Sequence, residues 1–229
     1  ASMTLDQHNT DKLNIFKQEL DRMGVDLLSP DVNKSQVKFS VERDGGTSAI
    51  RYALAAIKNV GEGAMASLVE ARKDGGPFKD VADFAHRLDP KVINKRQMEN
   101  LIRAGALDSL NPNRRQLFTG LERILKEAVS AHQDRTSDQM GLFGGGGGSD
   151  APEVPEIRLD NIADWTPMDR LKEEFDAVGF YLSSHPLATY ESMLEKHKVM
   201  SYVEILTAAR PGHRRMAGTL VAMKERTSA

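Results

Sequence analysis

Five consecutive glycines, Gly144–Gly148, interrupt this sequence and are followed within eight residues by Pro152 and Pro155. Glycine loses much conformational entropy when it is ordered, and proline cannot donate a backbone hydrogen bond, so neither continues a helix or a strand easily. Serine and aspartate surround them, a composition typical of disordered segments. We therefore predict a flexible linker over residues 133–165, with folded parts on both sides of it.

The N-terminal part has the pattern of a small α/β piece. Leu13, Phe16 and Leu20 recur at helical spacing, and apolar residues then alternate with polar ones from Val37 to Val41, as in a half-buried strand. We predict one helix and a small sheet within residues 1–54.

Helical signals dominate from residue 55 to residue 132. A polar cap or a proline at the first helical position marks three helix starts. These starts are Asp80, Asn94 and Pro112, the last beginning one long helix that continues to Val129.

After the linker, Thr166 and Pro167 have the sequence of a helix start. Residues 166–212 are predicted to be a helical connector, and residues 213–229 the truncated start of a β-domain. The predicted fold class is therefore mainly α, with a small α/β piece at the N-terminus.

The stretch "IKNVGEGAMASLVEAR", residues 57–72, has the form of a helix-hairpin-helix. A glycine turn exposes the N–H groups of the next helix, where a phosphate can bind without reading the base sequence. Asn59 stands where a glycine is usual, and asparagine tolerates the left-handed conformation. Glu62 opposes phosphate binding, and an ordinary helical turn remains the alternative. The candidate DNA contacts of this turn are Lys58, Asn59, Gly61 and Gly63.

A basic run extends from Lys91 to Arg115. It contains six cations and two anions, a local charge of +4 in a chain of net charge −2. Such asymmetry is typical of contact with a duplex backbone, although many charge runs are solvated helix faces. The candidate phosphate contacts here are Lys95, Arg96, Arg103, Arg114 and Arg115.

The segment "QMGLF", residues 139–143, places large apolar side chains inside the predicted linker. This arrangement is typical of a short linear motif that inserts two adjacent apolar residues into a pocket of a partner. The candidate contacts are Gln139, Met140, Leu142 and Phe143. The alternative is that these side chains fold back onto neighbouring helices.

Several classes of function have no support in the sequence. There is no cysteine, and the six histidines are scattered without the spacing of metal ligands. No nucleotide-binding loop or cluster of catalytic carboxylates is evident. No apolar run reaches the roughly 20 residues that a membrane span needs. We therefore predict no catalytic residue, no metal site, no cofactor and no membrane contact in this chain.

Two long stretches carry a family resemblance: "IRYALAAIKNVGEGAMASLVEARKDGGPFKDVADFAHRLD" and "GFYLSSHPL", residues 50–89 and 179–187. With these stretches, the chain resembles the alpha subunit of bacterial DNA polymerase III, a replicative polymerase of the C family. The resemblance implies the end of the fingers region over residues 1–54 and a DNA-binding helix-hairpin-helix region over residues 55–132. It further implies a connector over 166–212 and the start of an oligonucleotide-binding (OB) fold over 213–229.

The resemblance also implies partners. "QMGLF" matches the internal motif for the sliding beta clamp, so Gln139, Met140, Leu142 and Phe143 would contact the clamp. Duplex DNA and the other holoenzyme subunits are the further partners, and the location would be the bacterial cytoplasm, at the nucleoid. The polymerase that the chain resembles is a nucleotidyltransferase that uses Mg²⁺. The resemblance implies that the catalytic carboxylates of that polymerase lie outside this sequence. We therefore expect no polymerase activity from this part alone. A repair protein with the same hairpin, or an error-prone paralogue, is the alternative.

Overall fold

The computed structural model divides into two compact units, Ala1–Ser183 and Ser184–Ala229. It describes residues 2–44, 46–138, 157–207, 212–220 and 223. The predicted mainly α fold with a small α/β piece is confirmed. Of the predicted connector over residues 166–212, the part up to Ser183 belongs to the first unit and the rest to the second.

The N-terminal α/β piece has two helices and a three-stranded sheet. Its sheet order is β1-β3-β2, with β1 parallel and β2 antiparallel to β3, and Ile50 of β3 pairs with both Leu27 and Val41. The elements are α1 (Ser2–Leu5), α2 (Thr10–Arg22), β1 (Leu27–Leu28), β2 (Ser40–Asp44) and β3 (Thr47–Arg51).

The predicted strand around residues 37–41 begins later than expected. β2 starts at Ser40, and Val41 is 63% exposed instead of half-buried. Phe39 packs edge-to-face on the fully buried ring of Tyr52, with the ring centroids 5.1 Å apart. The apolar side chains before β2 therefore fill the core from a loop, which the period-two pattern does not distinguish from a strand.

Helices make up the rest of the first unit. A 3-10 turn, Leu54–Ala56, precedes them and is buried throughout. The helices are α3 (Glu62–Gly75), α4 (Val81–Arg87), α5 (Lys95–Arg103), α6 (Arg114–Thr119), α7 (Leu121–Asp138) and α8 (Pro167–Val178). One contiguous core joins them to the sheet, and its largest fully buried side chains include Tyr52, Phe84, Met98, Leu101 and Leu117.

The predicted helix starts are confirmed at two places and wrong at a third. Asp80 caps α4, and Asn94 caps α5 as half of a reciprocal capping box. The long helix predicted from Pro112 is instead two helices, because Asn113 caps α6 and the chain breaks at Gly120. A Cβ at Gly120 would lie 2.5 Å from Leu159 Cδ2, so the break leaves room for a returning segment of the chain.

That returning segment, residues 157–165, is part of the predicted flexible linker, but it packs against the helices. Asn113 Nδ2 donates to the carbonyl of Ile162 at 2.7 Å, and the rings of Phe118 and Trp165 lie 5.6 Å apart. Residues 157–165 thus form a docking segment on α6 and α7. At the other end of the predicted linker, α7 continues to Asp138. The prediction of a flexible linker over residues 133–165 is therefore wrong at both ends.

Asp164 fixes the docking segment to the start of α6. Burial alone raises the pKa of this carboxyl, but hydrogen bonds from the backbone N–H groups of Arg115 and Trp165, together with the Arg170 guanidinium, outweigh burial and hold the pKa below its usual range. A lowered pKa in the folded chain means that the carboxylate stabilises docking above the unfolded pKa of about 3.9. This stabilisation is lost as the pH falls through the folded pKa.

We therefore expect acid to release the docking segment, which the fluorescence of Trp165, the single tryptophan of the chain, reports. Asp164→Asn should show the released signal already at pH 7 and little further change between about pH 5 and 2, the range in which carboxyl groups of this kind titrate. Asp160→Asn, which removes an exposed carboxylate of the same segment, is the matched control. Identical titrations for the wild type and Asp164→Asn would exclude this role for Asp164.

The second unit contains short helices. After a 3-10 turn, Ala188–Tyr190, come α9 (Glu191–Lys196) and α10 (Tyr202–Thr207). An isolated parallel bridge joins Val199 to Arg215. This bridge is the only β structure among the described residues after position 212. The predicted start of a β-domain over residues 213–229 therefore stays a prediction.

Candidate nucleic-acid interface

The turn at residues 57–61 is fixed by its backbone. Asn59 has a φ of 61°, in the left-handed region, as the sequence predicts. The N–H of Lys58 donates to the carbonyl of Ala177 at 2.9 Å, so the turn rests against the C-terminal end of α8. The arm before the turn is only the 3-10 turn Leu54–Ala56, so this hairpin has one α-helical arm, α3.

The N-terminus of α3 is open. Gly61 precedes it with a φ of −80° and makes no side-chain cap, and nothing lies within 4 Å of a Cβ placed on Gly63. The φ of Gly61 suits any residue, so the glycines matter here for the space they leave. Glu62 and Gly63 are exposed, and the first N–H groups of α3 have no side-chain acceptor from its cap, so they are available to bind an anion.

The N-terminus of α5 lies beside that of α3. A Cβ on Gly61 would be 3.3 Å from Nε2 of Gln97, while Oε1 of Gln97 accepts the N–H of Asn94 at 2.9 Å. Two positive ends of helix dipoles are thus adjacent. Lys95 and Arg96, both exposed, extend from the first turn of α5 at this place. The structure therefore brings together the two regions that the sequence marks separately.

Glutamates balance part of this positive charge. The ammonium of Lys95 lies 2.8 Å from Glu122, and this hydrogen bond raises the pKa of Lys95 and lowers that of Glu122. Glu62, which opposes phosphate binding in the sequence, lies 3.4 Å from Lys38. All four side chains are largely exposed, so a phosphate can replace either carboxylate without burying a charge.

Two predicted phosphate contacts are structural instead. Arg114 is buried, and its guanidinium donates to Asp108 at 2.7 Å and to the carbonyl of Arg103 at 3.0 Å. Arg103 lies 2.9 Å from Glu173 and stacks over Phe118 at 5.0 Å. Their guanidiniums tie α5, α6 and α8 together, which corrects the prediction that they face DNA. Arg115, next to Arg114, is exposed, as a phosphate contact requires.

Gln139, Met140, Leu142 and Phe143 of the predicted clamp motif lie outside the described residues. Within the described part of the chain, no helix is long and apolar enough to cross a membrane. In that same part, no group of three or more histidine, aspartate or glutamate side chains is arranged to hold a metal ion.

Comparison with known proteins agrees with this geometry. Residues 24–117 match a family model described as a helix-hairpin-helix motif. The DNA polymerase III alpha subunit of Caulobacter vibrioides is 44% identical over the whole chain, and that of Vibrio cholerae 36% over the whole chain. That of Pseudomonas aeruginosa is 37% identical over 91% of the chain.

Along its whole length, this chain is similar to a segment of the DNA polymerase III alpha subunit. The resemblance inferred from the sequence is thereby confirmed. The chain spans 19% of the length of each of these three relatives. The matched hairpin region contains both helix N-termini described above, those of α3 and α5.

Sequence reasoning missed two residues of this interface. Gln97 completes the capping box of α5, but its contact with Gly61 joins residues 36 positions apart along the chain. Glu122, the partner of Lys95, is 27 positions away from it. Neither contact has a local sequence signal, because each depends on how the helices pack.

Proposed function

We propose that this chain is the part of a replicative DNA polymerase III alpha subunit that holds duplex DNA by its phosphate backbone and attaches the polymerase to the sliding clamp. The observation that carries the DNA part is the adjacency of the α3 and α5 N-termini, where Gln97 lies against Gly61. Exposed N–H groups and the cations Lys95 and Arg96 suit phosphates spaced along a strand. None of these groups reads a base, so binding is independent of sequence.

Four exposed or half-buried cations remain candidates after the correction of Arg103 and Arg114: Lys58, Lys95, Arg96 and Arg115. If each neutralises one phosphate, the logarithm of the binding constant falls against the logarithm of the salt concentration with a slope of about −3.6.

We expect the double variant Lys95→Ala, Arg96→Ala to weaken duplex binding equally for unrelated sequences and to flatten that slope by about 1.8, since two phosphate contacts are lost. Fluorescence anisotropy with labelled duplexes at several salt concentrations measures both effects. Arg22→Ala removes an exposed positive charge at the end of α2, which is not among the proposed contacts, and is the control. An unchanged slope in the double variant would show that Lys95 and Arg96 do not contact phosphates and that the basic run is a solvated helix face.

The clamp part of the proposal rests on the "QMGLF" sequence and on the similarity to DNA polymerase III alpha subunits. Burying Leu142 and Phe143 in a pocket contributes about 1.5–3 kcal/mol each, and ordering the peptide offsets part of this. A contact of about micromolar strength results. Simultaneous attachment to DNA then increases the effective affinity.

A further inference from the structure

A cavity of about 290 Å³ opens beside the hairpin turn, where the residues before α2 meet residues 56–60. This volume is at the lower end of ligand-binding cavities, which suits one planar ring system. Apolar residues of the turn form part of its wall, and no acidic residue is among the described residues that line it. Its polar lining residues are Gln7, His8, Thr10, Lys58 and Asn59.

A glycine at the end of α8 allows the parts of this cavity to meet. Gly179 has a left-handed conformation, with a φ of 102°. A Cβ at this position would lie 2.8 Å from Cβ of Thr10 and 3.1 Å from Cε of Lys58. Thr10, at the start of α2, and the side chain of Lys58 therefore both pack against the end of α8, which holds them at the cavity.

Gln7 has a buried amide whose hydrogen bonding is incomplete. The residue is only 4% exposed, and its Nε2 lies 3.4 Å from Nε2 of His8, which is a long contact. Among the described residues, none donates a hydrogen bond to Oε1 of Gln7. A buried amide oxygen without a donor is costly, and native structures rarely keep one. The amide rotates easily about its last bond, so Oε1 can turn toward a ligand in the cavity.

The polar groups of this cavity match the edge and the face of a nucleobase. Adenine offers its N6 amino donor beside the N7 acceptor, and a glutamine or asparagine amide pairs with both atoms at once. An imidazole such as that of His8 stacks on bases. Lys58 and Asn59 belong to the turn that is proposed to bind phosphate, so a nucleotide held there by its phosphate has its base close to the cavity.

We propose that this cavity receives one unpaired adenine, whose N6 and N7 pair with the amide of Gln7. A paired base must first leave its stack, whereas an unpaired base enters a cavity at little cost. The adenine belongs either to an unpaired nucleotide of the DNA strand, a source that rests on the DNA binding proposed above, or to a free nucleotide. In both cases this cavity reads a base, whereas the contacts of α3 and α5 are independent of sequence.

The test compares ligands that differ in one chemical group. Hypoxanthine has the shape of adenine but carries a carbonyl in place of the N6 amino group, so it offers Oε1 of Gln7 no donor there. The DNA probes are a labelled duplex with one unpaired adenine, the same duplex with an unpaired hypoxanthine, and the fully paired duplex. The free probes are deoxyadenosine monophosphate and deoxyinosine monophosphate. Fluorescence anisotropy measures the duplexes, and saturation-transfer NMR the nucleotides, with the whole chain throughout.

We expect the wild type to bind adenine about tenfold more tightly than hypoxanthine, an effect within the range of bidentate base contacts. Gln7→Met removes both polar atoms of the amide at similar volume and should abolish this preference. Its melting temperature should stay equal or rise, because the buried oxygen without a donor is gone. Gln18→Met makes the same replacement at an exposed position of α2 outside the cavity lining and should keep the preference.

The two kinds of probe identify the source of the base. A preference for adenine in the duplexes alone indicates a nucleotide of the DNA strand, and a preference among the free nucleotides indicates a free nucleotide. Equal binding of adenine and hypoxanthine by the wild type with both kinds of probe, or a preference that survives in Gln7→Met, would overturn the proposal. Binding of the fully paired duplex tests the DNA site at α3 and α5 by itself, so failure of that site is distinguishable from failure of this cavity.

Discussion

Replacing Arg114 with methionine is expected to lower the free energy of unfolding by about 3–5 kcal/mol, the cost of breaking a buried ion pair. The guanidinium of Arg114 is buried and donates to Asp108 and to a backbone carbonyl. Its removal also takes away the nearest cation of the buried Glu174, at 3.9 Å. Glu174 accepts the backbone N–H groups of Leu182 and Ser183 and therefore stays buried without its arginine partner.

Urea denaturation followed by Trp165 fluorescence measures this loss, because Trp165 lies in the same unit as Arg114. The neighbouring Arg115→Met is the matched control. Arg115 is exposed, so its replacement should change the free energy of unfolding by no more than about 0.5 kcal/mol. If both variants unfolded at the same urea concentration, Arg114 would not hold the helices together. The prediction that Arg114 contacts a DNA phosphate would then regain support.

The second large effect concerns the clamp. Leu142→Ala combined with Phe143→Ala should reduce the affinity of the chain for a purified sliding clamp by a factor of about 10²–10⁴, because about 3–6 kcal/mol of apolar burial is removed. Calorimetric titration of the clamp with the whole chain measures this. The unfolding curve should not change, which separates loss of a contact from loss of the fold.

Leu220→Ala provides the control for that experiment, since Leu220 is an apolar side chain of the second unit that is 77% exposed. Its replacement should leave clamp affinity as it is. Wild-type affinity in the double variant would show that "QMGLF" is not the clamp contact, while duplex binding by Lys95 and Arg96 would be unaffected by that result.

Local features of the fold were predictable from the sequence, and contacts between distant residues were not. The caps at Asp80 and Asn94 follow from residues three positions apart, and the left-handed Asn59 from its place in a glycine turn. By contrast, the hydrogen bond between the Arg115 N–H and Asp164 joins residues 49 positions apart. A composition rich in glycine and proline concealed the docking of Trp165.

In the candidate site, too, local features were predictable from the sequence and contacts between distant residues were not. The charge pattern from Lys91 to Arg115 correctly marked Lys95 and Arg96 as exposed cations, but it could not separate them from the buried Arg114. Arginine has the same charge in both places, and only the packing of α6 against Asp108 distinguishes them. The adjacency of the two helix N-termini likewise depends on tertiary structure, although each had its own local signal.

The end of α7 at Asp138 sets a distance limit on the proposed clamp contact. Phe143 follows Asp138 by five residues, and a fully extended chain of that length covers at most about 18 Å. In the other direction, Ile157, where the docking segment begins, follows Phe143 by 14 residues. Phe143 is therefore much closer along the chain to α7 than to the docking segment. The shorter of these two connections limits how far Phe143 can lie from the folded part of the chain. α7 is itself joined to α4 by the 2.9 Å pair of Glu127 with His86. If the proposed clamp contact forms, the clamp must approach the C-terminal tip of α7 to reach Phe143, so the orientation of one helix restricts where a clamp can bind this chain.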